Sequence, residues 1–183
     1  KKSTLISPDL GTCKECEKEL FNPKDRRFGY PFINCTHCGP RFSIIKDIPY
    51  DRAKTTMAPF HMCSLCEFEY SDSTNRRFHA EPNACDDCGP HIFLLNNMRK
   101  RIETLDPILK AVQLLREGKI IAIKGIGGYH IACDATNNEA VAELRKRKMR
   151  PDKPFAIMSY SLKEVKSYAK VNDKEAELLL SAA

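Results

Sequence analysis

The chain has 183 residues, a formal net charge of +6 and nine cysteines, with 42% hydrophobic residues and no Trp. This length allows one or two domains, and no apolar stretch is long enough to cross a membrane. Residues 1–10 do not read as a secretory signal, which argues against an extracellular disulfide framework.

In chain order, the first features are four Cys-x-x-Cys turns: Cys13/Cys16, Cys35/Cys38, Cys63/Cys66 and Cys85/Cys88. Eighteen residues separate the first pair from the second and the third from the fourth, so the frame repeats every fifty residues. Each turn aims two sulfurs at one point, and two turns complete a tetrahedral thiolate shell for Zn²⁺. The frame therefore predicts two structural zinc sites with no open coordination position. A redox role is a weaker reading, because four pairs in a duplicated frame argue for metal, and so is Fe–S ligation, whose clusters usually show tighter Cys runs. Local pairing within each half of the repeat is favoured by the short insert, and interleaved pairing stays open. His37, His61, His79 and His91 lie near the cysteines but are not needed as ligands.

Residues 13–40 and 63–90 share more than cysteines. Both carry Arg-Arg-Phe in the middle and end in Cys-Gly-Pro, which reads as one module duplicated. Gly39 and Gly89 are expected at positive φ, turning amides toward the sulfurs. Eight thiolates and two Zn²⁺ contribute about −4, leaving about +2, so the basic balance is a poor argument for nucleic acid. Arg26, Arg27, Arg76 and Arg77 are expected to compensate the thiolates and to pair with Glu17, Glu19, Glu67 and Glu69.

Composition changes near residue 99, and the rest alternates between helices and strands. Asp106-Pro107 opens a helix that Gly118 ends. Residues 120–123 and 129–133 read as short strands around a Gly-rich turn. Asn137 or Asn138 caps a helix that runs into the basic stretch Arg145–Arg150. Residues 155–158 read as a strand, Ser161 as a helix cap, and Asp173 as the start of a last helix. The expected fold is thus a small metal-stabilised duplicated four-cysteine module, followed by an α/β or α+β part. Cys133 reads as a small core residue, and Asp134 as turn chemistry.

The cysteine frame with its Arg-Arg-Phe and Cys-Gly-Pro elements resembles the zinc-finger segment of the HypF family, the carbamoyltransferases of [NiFe]-hydrogenase maturation. KGIGGYHIACDATN (124–137) and LRKRKMRPDKPFAIM (144–158) resemble the start of the YrdC-like domain that follows it. The resemblance implies a linker at 1–12 from a missing acylphosphatase domain, a zinc module at 13–98, and the first part of an α/β YrdC-like domain at 99–183. It implies a cytoplasmic fragment, inactive by itself, of an enzyme acting on carbamoyl phosphate, carbamate and ATP with Mg²⁺. The product, carbamoyl-adenylate, would serve to carbamoylate a cysteine of the partner HypE.

Through the same resemblance, Lys148, Arg150 and Lys153 form a phosphate clamp; unaided, they read as a solvated basic helix end. Lys124, Gly127, Gly128 and Tyr129 become candidate substrate contacts. Relatives that make threonylcarbamoyl-adenylate typically carry threonines in this turn, where this chain has Gly and a nearby Lys124. A bare backbone suits a small anion such as carbamate. His130 is either a substrate contact or structural. Two alternatives are a threonylcarbamoyl-adenylate synthase relative and a non-catalytic zinc-dependent binding module.

Overall fold

The computed structural model describes residues 6–125 and 127–181. The outer ends of the segments expected at 1–12 and 99–183, and Ile126 of the Gly-rich turn, lie outside them. The chain divides into two compact units between His91 and Ile92.

The first unit holds two short helices, α1 (Lys14–Phe21) and α2 (Ser64–Ser71), each starting directly after the first cysteine of its module. Both start at the same position of the repeat because Cys13 and Cys63 occupy the N-cap in an extended conformation. In α1 the Cys13 sulfur accepts from the Cys16 amide, as N-cap oxygens do. The stretch joining the modules folds into two 3₁₀ turns, Phe42–Ile44 and Arg52–Lys54, bridged by Ile45 and Thr55. Its Ile44 and Met57 pack with Cys16, Tyr30, Ile33, Cys35, Cys38 and Ala84 in one cluster. Residues from both modules therefore share a core. Several of its neighbours are polar: Arg27, Thr55 and Asn83 are fully buried. A core this small, built around cysteines, has little apolar area to hold it and relies on satisfied hydrogen bonds.

The second unit contains α3 (Pro107–Arg116), β1 (Ile121–Lys124), β2 (Tyr129–Ala132), α4 (Asn138–Arg147), α5 (Leu162–Tyr168) and α6 (Asp173–Leu179). The expected caps are in place. Asp106 accepts from the amides of Ile108 and Leu109. Asn137, not Asn138, caps α4, and Ser161 caps α5. α6 begins at Asp173, as expected, behind a capping box of Asn172 and Glu175 that was not foreseen. β1 and β2 form an antiparallel hairpin with Lys124 opposite Tyr129 and Ile123 opposite His130. Residues 155–158, expected as a strand, pair with no other strand among the described residues. Ile157 and Met158 are exposed, and an apolar run becomes a strand only when a neighbour accepts its ladder. Among the described residues of this unit, only Ala140 and Leu144 are buried.

Candidate metal centre

The eight cysteines of the repeated frame come together as two sets of four. Cys13, Cys16, Cys35 and Cys38 form one, and Cys63, Cys66, Cys85 and Cys88 the other; within each set all sulfurs lie within 4.8 Å of one another. Pairing is local, not interleaved. In the first set the sulfur separations include 3.8 Å for Cys13–Cys35, 3.8 Å for Cys35–Cys38 and 3.5 Å for Cys16–Cys38. The matching separations in the second are 3.8, 3.8 and 3.7 Å. A tetrahedron of sulfurs about 2.3 Å from a zinc ion has edges of about 3.8 Å. The donor sets thus have the size, charge and geometry for Zn²⁺. With four sulfurs per set, each could hold it as a closed structural site rather than a hydrolytic one.

Local backbone serves the sulfurs. Cys16 N–H reaches the Cys13 sulfur at 3.5 Å and His37 N–H reaches Cys35 at 3.3 Å. Burial pushes the Cys13 thiol up, but the Cys16 amide and the neighbouring cysteine side chains outweigh it and bring it down to about 7. The same balance, with the Cys66 amide, brings Cys63 to about 7. Burial dominates at Cys16 and Cys66 and raises both thiols. A cation among the four sulfurs reverses that cost.

The glycines after the last cysteines do different jobs. Gly39 has φ +93°, as expected, and its amide bonds to the Leu10 carbonyl rather than to a sulfur. Gly89, expected to match it, is not at positive φ. There glycine is required by space: a Cβ would lie 2.0 Å from the Tyr30 hydroxyl and 2.6 Å from Ala84 Cβ.

The arginine pairs reach across the repeat. Arg26, in the first module, donates to Cys63, Cys66 and Cys85 of the second at 3.4, 3.4 and 3.1 Å. Arg76, in the second, donates to Cys13 and Cys16 of the first at 3.3 and 3.0 Å. Arg26 and Arg27 both pair with Glu69, and Arg76 and Arg77 with Glu19. Burial raises the Glu19 and Glu69 carboxyls, but the arginines outweigh it and hold both below the ordinary carboxylate range. Glu17 and Glu67, expected as further partners, are exposed. The reason is helical phase. Glu19 and Glu69 lie three residues after Cys16 and Cys66, on the same face, while Glu17 and Glu67 follow the cysteine directly and point away.

The candidate nucleotide-side residues fall into two groups. Lys124, Gly127, Gly128 and Tyr129 sit at one hairpin turn. It is closed by Gly125 N–H donating to the Gly128 carbonyl at 2.7 Å, and the Lys124 ammonium lies 5.9 Å from the Tyr129 ring centre. Gly128 has φ +150°, and a Cβ on Gly127 would meet nothing. Lys148, Arg150 and Lys153 sit at the exit of α4, with Lys148 as its C-cap. Among the described residues, no hydrogen bond, ion pair or ring contact joins the two groups.

Sequence reasoning missed the residues that shape these places. Arg145 donates to the carbonyls of Arg150, Pro151 and Lys153 and stacks on Phe155 at 4.8 Å, so it holds the loop that carries the basic motif. Arg52 donates to the carbonyls of Glu81, Asn83 and Phe60. It lies between the two copies of the repeat, where comparing one copy with the other gives no signal.

Comparison with known proteins agrees with this geometry. The family model described as HypF finger matches residues 12–45 and 62–95. The Sua5/YciO/YrdC model, described as Telomere recombination, matches residues 113–183. The carbamoyltransferase HypF of Synechocystis sp. is 58% identical over 183 residues, covering 100% of this chain and 24% of that protein. A probable carbamoyltransferase HypF of Methanocaldococcus jannaschii is 50% identical over 176 residues, covering 96% and 23%. The crystal structure of T. kodakarensis HypF superposes with a TM-score of 0.93 at 53% identity, over 100% of this chain and 24% of that one. That of a full-length HypF in a phosphate- and nucleotide-bound form gives 0.89 at 55% identity, over 97% and 23%. The chain spans about a quarter of the length of these relatives. Through a duplicated cysteine finger followed by a Sua5/YrdC-like stretch, it belongs to the HypF family.

Proposed function

We propose that this chain is the zinc-stabilised finger segment and part of the adenylate-forming domain of a cytoplasmic carbamoyltransferase. Each four-cysteine set holds one structural Zn²⁺. The observation that carries the reading is the pair of closed tetrahedral sulfur sets, in the frame of a family whose members are named carbamoyltransferases. The finger unit covers 13–98 and the nucleotide-side domain begins near 99. In the whole protein, carbamate derived from carbamoyl phosphate reacts with ATP, with Mg²⁺, to give carbamoyl-adenylate. The carbamoyl group then passes to a cysteine of HypE.

The residues of this chain have defined parts in that reading. Lys148, Arg150 and Lys153 supply positive charge to the polyphosphate at a helix exit that Arg145 has already ordered. Lys124 and the open backbone at Gly127 and Gly128 leave room for a small anion beside Tyr129.

The test has two parts. Elemental analysis of the purified protein gives two zinc ions per chain; one zinc, or iron with visible absorbance, refutes the metal assignment. In the longer enzyme, Lys148→Ala or Arg150→Ala weakens ATP consumption through loss of charge-assisted contacts worth about 1.5–3 kcal/mol each. Carbamoyl-phosphate hydrolysis persists, and equal loss of both activities refutes the clamp.

A further inference from the structure

We infer that Arg26 and Arg76 are positioning residues for the metal centre of the opposite module, so that the two centres stabilise each other. This rests on the zinc reading above.

A four-thiolate zinc site carries about two net negative charges, and hydrogen-bond donors around the sulfurs decide how well that charge is tolerated. Among the described residues, the only cationic side chains that donate to these sulfurs are Arg26, Arg27 and Arg76. All three donate to the other module's sulfurs. Neither module compensates its own metal.

The arginines are held in place by the helix they serve. Glu69 on α2 receives Arg26 and Arg27, and Glu19 on α1 receives Arg76 and Arg77. Three backbone-linked contacts lock the same exchange. Arg27 Nε donates to the Ala84 carbonyl at 2.9 Å, Arg77 Nε to the Asn34 carbonyl at 3.1 Å, and Thr36 N–H to the Arg76 carbonyl at 3.1 Å. Each arginine-bearing loop lies between the two Cys-x-x-Cys turns of its own module, and those turns are fixed only when that module is closed on its metal. Loss of one metal frees the loop that neutralises the other. The coupling is reciprocal, as linkage between two binding sites must be.

The distinguishing experiment is site-resolved release. The zinc-loaded 183-residue chain is exposed to a chromophoric chelator with a thiol-alkylating reagent, and the cysteines that become modified are identified by peptide mapping. Substituting a group that hydrogen-bonds a metal ligand typically costs 10- to 100-fold in metal affinity. Arg76→Ala should accelerate modification of Cys13, Cys16, Cys35 and Cys38 by about that factor. It should do so ahead of Cys63, Cys66, Cys85 and Cys88, which share its module. Arg26→Ala should give the mirror image. Arg76→Lys keeps the charge without the forked donor and should fall between wild type and Arg76→Ala. It also serves if the alanine variant fails to fold, which circular dichroism of the zinc-loaded chain reports. Acceleration confined to the substituted arginine's own module, or equal in both sets, overturns the inference. So does release unchanged from wild type. Wild-type protein that takes up no zinc refutes the underlying reading instead, whereas two zinc ions released independently refute only the coupling.

Discussion

Arg27→Ala is the substitution from which the structure predicts the largest loss in the finger unit. The guanidinium is almost fully buried and donates to both Glu69 oxygens, to Asn83 Oδ1 at 3.0 Å and to the Ala84 carbonyl at 2.9 Å. Removing one partner of a buried pair costs about 3–5 kcal/mol, because the other charge stays buried. Here Glu69 keeps Arg26 at 3.1 Å, which places the loss at the lower end, about 3 kcal/mol. With a urea dependence of about 1–3 kcal/mol/M, the unfolding midpoint of the zinc-loaded protein should fall by roughly 1–3 M. Urea titration at saturating zinc, followed by far-ultraviolet circular dichroism, measures it, with exposed Lys24→Ala as control. A double-mutant cycle with Glu69→Gln should give a coupling of about 1–3 kcal/mol. A loss below about 1 kcal/mol for Arg27→Ala would refute the reasoning, since it would place that guanidinium in water rather than in a closed network.

Three further outcomes are expected. Gly39→Ala should destabilise the first module by about 1–3 kcal/mol, because φ is +93° and the new Cβ would lie 2.6 Å from Asn34 Cβ; faster zinc release from that module checks it. Tyr30→Phe should leave the thermal midpoint unchanged or raised, because the buried Tyr30 hydroxyl has no hydrogen-bond partner among the described residues; a fall corresponding to more than about 1 kcal/mol would contradict this. Glu19 and Glu69 have lowered carboxyl pKa values in the fold, so their stabilisation is complete above the ordinary value of about 4.3 and is lost as pH falls through the folded values. The Glu19→Gln/Glu69→Gln variant should therefore be less stable than wild type at neutral pH, with the gap narrowing in denaturant titrations as pH falls from the ordinary carboxylate value through the lower folded ones. A gap that persists undiminished in acid would refute the sign.

Much of this protein was legible in the chain because its determinants are local. A Cys-x-x-Cys turn presents two sulfurs whatever surrounds it, and the eighteen-residue insert brings the second turn back within the same module. Three helix starts followed from Asp106, Asn137 and Ser161, whose side chains bond to amides two or three residues on. The features that escaped the sequence depend on distant partners. That arginines and glutamates would pair was readable, but not that Arg26 answers to Glu69 and Arg76 to Glu19, forty to sixty residues away. Both copies of a repeat carry the same residues, so an exchanged pairing and a local one look alike. Gly89 looked like a second Gly39, yet it is fixed by Tyr30, whose counterpart in the other copy is Ala80, so the repeat hides the cause. Residues 155–158 have the composition of a strand, but a strand exists only beside another that accepts its hydrogen bonds. Local chemistry along the chain determined the ligand sets and the caps. Tertiary packing decided which module's arginines reach which cysteine set, because that depends on where two folded copies meet and not on what either contains.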